Sequence, residues 1–101
     1  MTAYIIGELN VHNPERYADY TAHTPKTIAD HGGKFIIRGG NPKSLEGGDT
    51  APRFVVVEFP SMEKLMEWYH SDAYQAIIPI RQEAAEGRIV AVEGADTIPL
   101  T

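Results

Sequence analysis

With 101 residues, 43% of them hydrophobic and 23% charged, the sequence has room for one globular domain, taken as residues 1–101, and is too apolar for a disordered chain. A net charge of −5 works against nucleic acid and anionic membrane as partners, because both repel an acidic surface. The absence of cysteine excludes disulfides, thiolate metal sites and cysteine nucleophiles. No stretch approaches the ~20 apolar residues that span a bilayer. Residues 1–7 lack the basic start and long apolar run of a secretory signal, so a soluble, cytoplasmic protein is expected.

Residues 3–11, rich in Ile, Tyr and Val, predict the first strand. Asn13-Pro14 then reads as a helix N-cap followed by proline at the first helical position, with Glu15 well placed in the first turn. A helix over residues 14–30 follows, its inner face marked by Tyr17, Tyr20, Thr21, Thr24 and Ile28. Pro25 must kink or split it, and Gly32-Gly33 stops it. Residues 34–38 form the second strand, closed by Gly39-Gly40. A loop containing Pro42, Gly47, Gly48 and Pro52 leads into a third strand at residues 53–59.

Pro60 ends that strand and Ser61 caps the next helix, whose buried stripe is expected at Met62, Leu65, Met66 and Tyr69, with Trp68 on its flank. Ser71-Asp72 opens a further helical stretch through Tyr74 and Ile77, which Pro79 is expected to interrupt and Gly87 to terminate. Residues 88–93 predict the last strand. The order β-α-β-β-α-β, with short connections and right-handed crossovers, gives an α+β, ferredoxin-like fold: a four-stranded antiparallel sheet with its helices on one face.

Strand alternation sorts the sheet residues onto two sides. Ile5, Leu9, Phe35, Ile37, Val55, Val57, Phe59, Val90 and Val92 make an almost wholly apolar set, assigned to the helix-covered face. The other face, expected to look outward, holds Glu8, Lys34, Arg38, Glu58 and Glu93, but also Tyr4, Ile6, Ile36, Phe54, Val56 and Ile89. A monomer rarely leaves such a patch in water. Each of these side chains gains roughly 1.5–3 kcal/mol on full burial. A homodimer packed sheet to sheet about a two-fold axis is therefore expected.

Several short pieces carry a family resemblance: Tyr4-Ile5-Ile6-Gly7-Glu8; Pro14-Glu15 with Tyr17 and Tyr20; Gly32-Gly33-Lys34-Phe35 running into Arg38-Gly39-Gly40; Glu58-Phe59-Pro60-Ser61; and Trp68-Tyr69 with Ser71, Tyr74-Gln75 and Arg81. In this order and spacing, over residues 3–94, the sequence resembles the domain of unknown function family 1330 of the dimeric α+β barrel superfamily. The resemblance implies the ferredoxin-like fold and a sheet-to-sheet homodimer. It implies no particular activity, since that superfamily includes small monooxygenases, muconolactone isomerases, haem-degrading enzymes and proteins without a known ligand.

The residues themselves offer a few candidate sites. His12, His23, His31 and His70 are scattered, with no i,i+4 pair, so no metal site and no cofactor is expected. His23, beside the break at Pro25, is a candidate acid/base group because histidine titrates near neutral pH. Arg38-Gly39-Gly40 can present a guanidinium and free backbone N–H groups to a carboxylate or phosphate; equally, the glycines can merely turn the chain while Arg38 pairs with an acid. Glu8 and Glu58, on strands expected to be parallel neighbours, can approach each other as a proton-transfer pair, whereas hairpin register sets Lys34 opposite Glu58 as an ordinary ion pair. Trp68 and Tyr74 are candidate pocket aromatics. Three functions are compatible with this inventory. One is a homodimer binding a small anionic or aromatic metabolite in a cleft between helices and sheet, through Arg38, Gly39, Gly40, Trp68 and Tyr74. Another is a cofactor-independent enzyme, monooxygenase- or isomerase-like, with His23 or Glu58 as catalytic group. The last is a module that only associates with itself.

Overall fold

Nine consecutive residues with alternating burial form the first strand, β1 (Ala3–Val11), in the computed structural model, which describes residues 2–95. Asn13 then caps α1 (Pro14–Thr21), its side chain accepting the Arg16 N–H at 3.1 Å. The chain breaks at Ala22-His23 and restarts as α2 (Thr24–Ala29), with Pro25 in the first turn. Proline costs nothing there, because the first N–H groups of a helix have no partner to lose. The long first helix expected from the sequence is thus two short ones.

β2 (Lys34–Gly39) and β3 (Arg53–Phe59) flank the glycine-rich loop. α3 (Met62–His70) is capped by the Ser61 hydroxyl, which accepts the Lys64 N–H at 3.1 Å. Ser71 then caps α4 (Asp72–Ala84), which runs directly into β4 (Ala85–Glu93). The strands lie in the order β2-β3-β1-β4, and every neighbouring pair is antiparallel. This is the ferredoxin-like arrangement, with β1 and β3 at the centre.

Several local expectations give way. Pro79 does not interrupt α4, which continues through it with Tyr74, Ile77, Ile78 and Ala84 buried. Packing outweighs a proline penalty of about 3 kcal/mol. Gly87 is no helix stop. It sits inside β4 opposite Leu9 at a φ of 147°, where any Cβ would collide with the Glu8 carbonyl. The end of α4 is instead fixed by the Ala84 carbonyl, which accepts the N–H groups of His12 and Asn13 at 3.0 and 3.1 Å. β4 starts three residues earlier than expected, and its register, which pairs Ile6 with Val90 and Gly7 with Ile89, exchanges its faces. Ile89 points under the helices, while Val90 and Val92 point away.

β2 brings the second exchange of faces. Phe35 pairs with Val57 on the helix side, but a bulge at Ile36 then sets Ile37 opposite Val56 and Arg38 opposite Val55. An extra residue in one strand reverses the alternation beyond it. Ile37 therefore faces outward and Arg38 faces the helices, the opposite of the plain two-residue period.

The core lies between the helices and the inner face of the sheet, with Trp68, Tyr74, Phe59 and Leu65 fully enclosed. Trp68 is not on a flank: it is 2% exposed, and Met66, expected in the stripe, is 42% exposed. The outer face leaves Ile36, Ile37, Val90 and Val92 exposed, beside half-buried Tyr4, Ile6, Phe54 and Val56. No helix among the described residues is long and apolar enough to cross a membrane.

Candidate functional site

The space between the helices and the inner face of the sheet is not completely filled. A narrow cavity of about 40 Å³ lies there, floored by Ile5, Gly7 and Val57 and walled by Tyr20, Trp68 and Tyr74. Gly7 helps to keep it open, since a Cβ at that position would reach 3.3 Å from the Ile89 side chain. Next to it lies a wider cleft of about 450 Å³ at the end of β1, bordered by Asn10, Val11, Pro14 and Pro52. Tyr17, Thr21, Arg38 and Arg53 line both spaces and so form the partition between them.

The cavity alone holds about three water molecules, at 10–15 Å³ each. The outer cleft has the size of a small-molecule site. Arg38 and Arg53 arrive at the partition from adjacent strands, Arg38 by the β2 bulge and Arg53 by the inner parity it shares with Val55, Val57 and Phe59. Each guanidinium is stacked on a ring: Arg38 lies 4.5 Å from the centre of Phe35, and Arg53 lies 5.3 Å from that of Tyr17.

Their electrostatic surroundings set these arginines apart. Among the described residues Arg16, Lys26, Lys34, Lys64 and Arg88 each face a carboxylate. Arg38, Lys43, Arg53 and Arg81 face none, in a protein that carries 14 acidic side chains against nine basic ones, and of these four only Arg38 and Arg53 line the two spaces. Arg53 also keeps a buried Nε with no hydrogen-bond acceptor, as does Arg81 outside the two spaces. The turn after β2 lies beside them: Gly39 and Gly40 have φ of 94° and 67°, and a Cβ on Gly39 would be 3.8 Å from an Arg53 Nη.

Deeper in, the aromatic wall is held by its own hydrogen bonds. The Tyr20 and Tyr74 hydroxyls lie 2.8 Å apart, and the Trp68 indole N–H donates to Thr27 Oγ1 at 3.0 Å. Trp68 also stacks on Tyr74, with ring centres 4.0 Å apart, and on Phe59 at 5.3 Å. Burial pushes both hydroxyls above the ordinary tyrosine range. The positive charge of Arg81 only partly offsets this. Both tyrosines are therefore neutral hydrogen-bonding groups at physiological pH.

Of the residues singled out in the sequence, Arg38, Trp68 and Tyr74 converge on the cavity, while Gly39 and Gly40 line neither space, Gly39 lying next to Arg53. His23 does not: it is exposed at the break between α1 and α2 and lines neither space. Glu58 lies on the outer face, where it accepts from the Tyr4 hydroxyl at 3.4 Å and pairs with Lys34 at 3.5 Å. Glu8 and Glu58 do not meet. Their strands are antiparallel neighbours, Glu8 stands opposite Phe54 while Glu58 stands opposite Tyr4, and Glu8 pairs with Arg88. His31 Nδ1 is 2.9 Å from the Thr27 carbonyl. Among the described residues no group of three or more histidine or acidic side chains could hold a metal ion.

Arg53, Thr27 and Arg81 are the residues that sequence reading missed. Arg53 carried a signal, since it is the lone charge in the run Arg53, Val55, Val57, Phe59 on one side of β3. Arg81 follows Tyr74 by seven residues, two helical turns on the same face of α4.

The fold is shared with solved proteins of low sequence identity. A protein of unknown function from Rhodopseudomonas palustris superposes with a TM-score of 0.76 at 19% identity, covering 99% of this chain and 83% of its own. The cofactor-independent oxygenase SnoaB of Streptomyces nogalater gives 0.64 at 13% identity, with 98% of both chains covered. A dimeric protein of unknown function and ferredoxin-like fold from Bacteroides fragilis gives 0.51 at 14%, covering 92% and 95%. No curated protein sequence matches the chain. At sequence level the match is to the model of Domain of unknown function (DUF1330) over residues 2–95, and the chain belongs to that family.

Proposed function

We propose that the protein is a homodimer that binds a small organic anion, aromatic or otherwise apolar in its body, in the cleft between helices and sheet. The observation that carries this reading is the pair Arg38 and Arg53, two guanidinium groups without a carboxylate, at the shared wall of an apolar cavity and a ligand-sized cleft. Guanidinium groups bind carboxylates through paired, charge-assisted hydrogen bonds. The Gly39 backbone approaches the Arg53 guanidinium beside this site. The ligand's ring enters past Tyr17 towards Trp68 and Tyr74, with the flexible arginine stems moving to join the two spaces.

Thermal-shift and calorimetric screening of small carboxylates against their neutral amides tests this. Acids are expected to raise the melting temperature and amides to leave it unchanged. Arg38→Ala and Arg53→Ala are each expected to weaken acid binding about tenfold or more, as loss of a charge-assisted contact does. Equal binding of acids and amides would remove the anion from the proposal.

The homodimer rests on the outer face, where the exposed Ile36, Ile37, Val90 and Val92 adjoin Tyr4, Ile6, Phe54 and Val56. Val56→Asp, on the central strand β3, places two carboxylates near the two-fold axis and is expected to give a monomer mass by light scattering at micromolar concentration. A wild-type protein that is already monomeric there would defeat the dimer.

The alternative is a cofactor-independent enzyme acting on the same class of molecule. It is favoured by the enclosed, neutral tyrosine pair, a suitable environment for excluding water from a reacting ring, and by the fold it shares with SnoaB, itself a cofactor-independent oxygenase. In that reading His23 and Glu58 act only on a substrate bound outside the cavity. Turnover of a bound acid that is unchanged in His23→Ala and Glu58→Gln would remove both from the chemistry.

A further inference from the structure

The part of the cavity wall that does not border the outer cleft contains one hydroxyl proton with no acceptor among the described residues. Thr24 Oγ1 donates to the Tyr20 carbonyl at 2.7 Å, Thr21 Oγ1 donates to the Ala18 carbonyl at 3.3 Å, and the Trp68 N–H is bound by Thr27. Each of those lining groups has its proton committed. The Tyr20–Tyr74 pair is different, because two hydroxyls 2.8 Å apart share one hydrogen bond and have two protons between them. One proton bridges the pair. The other has no protein acceptor among the described residues. The Tyr17 hydroxyl is also unpartnered, but Tyr17 borders the outer cleft, whereas Tyr20 and Tyr74 line the inner cavity alone.

We propose that the Tyr20–Tyr74 hydroxyl pair is a second polar subsite, which selects ligands bearing a carbonyl, phenol or hydroxyl oxygen on the part of the ring remote from the carboxylate. This rests on the anion-binding reading above and narrows it from organic anions in general to oxygenated ring acids. The pair lies inward of Arg38 and Arg53, in sequence along the rings: Arg53 on Tyr17, Tyr17 centred 5.5 Å from Tyr20, and Tyr20 centred 6.2 Å from Tyr74. A ligand anchored at the arginines therefore directs its far end at the hydroxyls. Both hydroxyls stay protonated because burial disfavours the phenolate, so the pair offers a donor and not a fixed negative charge. Arg81, which adjoins Tyr74 but lines neither space, keeps its positive charge beside the pair and favours a ligand oxygen that carries partial negative charge.

The selectivity arises from the cost of burying a polar group unmatched. A ring without an oxygen displaces water from the hydroxyl pair and leaves its free proton without an acceptor. A ring with one restores the hydrogen bond. Discrimination of this kind is larger than that from added apolar contact.

Isothermal titration of the wild-type protein with benzoate, 3-hydroxybenzoate, 4-hydroxybenzoate and 4-hydroxyphenylacetate provides the test. At least one hydroxylated acid is expected to bind about five- to tenfold more tightly than benzoate. That advantage should persist in Tyr74→Phe and Tyr20→Phe, each of which leaves one hydroxyl with a free proton, and vanish in the double variant Tyr20→Phe/Tyr74→Phe, which keeps both rings and hence the packing. Arg38→Ala should weaken all four acids alike and preserve their ranking. If benzoate and every hydroxylated acid bind equally, or if the advantage survives in the double phenylalanine variant, the subsite is wrong and the arginine site stands. If no acid binds the wild-type protein, the arginine site fails and the subsite fails with it.

Discussion

Both faces of the sheet are built on apolar side chains and both carry charge, but they treat the charge in opposite ways. On the open face Glu58 lies between the Tyr4 hydroxyl and Lys34, and Glu8 meets Arg88, so every carboxylate in the middle of that surface has a partner from the same sheet. On the helix-covered face Arg38 and Arg53 meet rings and no carboxylate, and one guanidinium nitrogen is buried without an acceptor. Charges neutralised within the fold leave an open apolar surface suited to a second copy. Charges left unneutralised beside a cavity are what the proposed anion site draws on. In the reading proposed above, the first pattern serves assembly and the second recognition.

The largest effect expected on this contrast comes from the aromatic wall that supports the recognition side. Trp68→Ala removes a fully buried side chain that stacks on Phe59 and Tyr74 and donates to Thr27. Such truncations cost about 3–5 kcal/mol, a large part of the stability of a domain this size. Urea unfolding followed by circular dichroism measures it. A loss below about 1 kcal/mol would mean that Trp68 belongs to a loosely packed cleft and not to the core.

Next in size is an alkaline instability that comes from the same wall. Tyr20 and Tyr74 are held protonated by burial, above the value of 10.0 at which tyrosine ordinarily ionises. Above pH 10 the unfolded chain releases these protons while the folded chain retains them, so stability falls as pH rises; below pH 10 the contribution is complete and flat. Each retained proton steepens the decline by up to about 1.4 kcal/mol per pH unit. Tyr20→Phe should make the decline shallower, as read by denaturant unfolding between neutral pH and pH 11. The native phenolate absorbance should be the same in variant and wild type, because the residue removed was not titrating.

Why the recognition side was harder to read from sequence than the assembly side follows from the same geometry. Element order, caps and strand limits depend on local signals such as Asn13-Pro14, Ser61 and the run Arg53 to Phe59, and these appear in the fold where the residues place them. Side-chain direction depends on register, which is non-local. The bulge at Ile36 shifts the count by one, and the pairing of β4 with β1 sets Ile89 opposite Gly7, so Arg38 and Ile89 lie on the inner face and Ile37, Val90 and Val92 on the outer one. Nothing adjacent to Ile36 signals a bulge. Arg38 was therefore recognised as a candidate anion site for its chemistry while being assigned to the wrong side of the sheet. Arg53, at the very start of its strand, was passed over. Met66 and Trp68 exchanged roles for a related reason: a nine-residue helix is too short for spacing alone to define which of two adjacent stripes turns inward.

The smallest effects are also the sharpest test of the contrast, because they are expected to differ in sign. Glu58→Gln removes the charge that pairs with Lys34 at 3.5 Å on the open face, where the Lys34 side chain is 70% exposed. Lys34 lies on the edge strand β2, at the rim of the proposed dimer, where solvent screens the pair, so the variant should lose less than about 1 kcal/mol, and less still at high salt. Arg53→Met removes a cation whose Nε is buried without an acceptor, a condition that costs about 1–3 kcal/mol, and gives up a ring contact worth about 0.5–1 kcal/mol. The balance favours the variant, which should be more stable than wild type by roughly 1 kcal/mol while losing its affinity for acids. Active and binding sites hold residues that stability alone would replace, and this exchange is their signature. If Arg53→Met proved as destabilising as an ordinary core substitution, Arg53 would be a structural cation, and the two faces of the sheet would differ in packing but not in purpose.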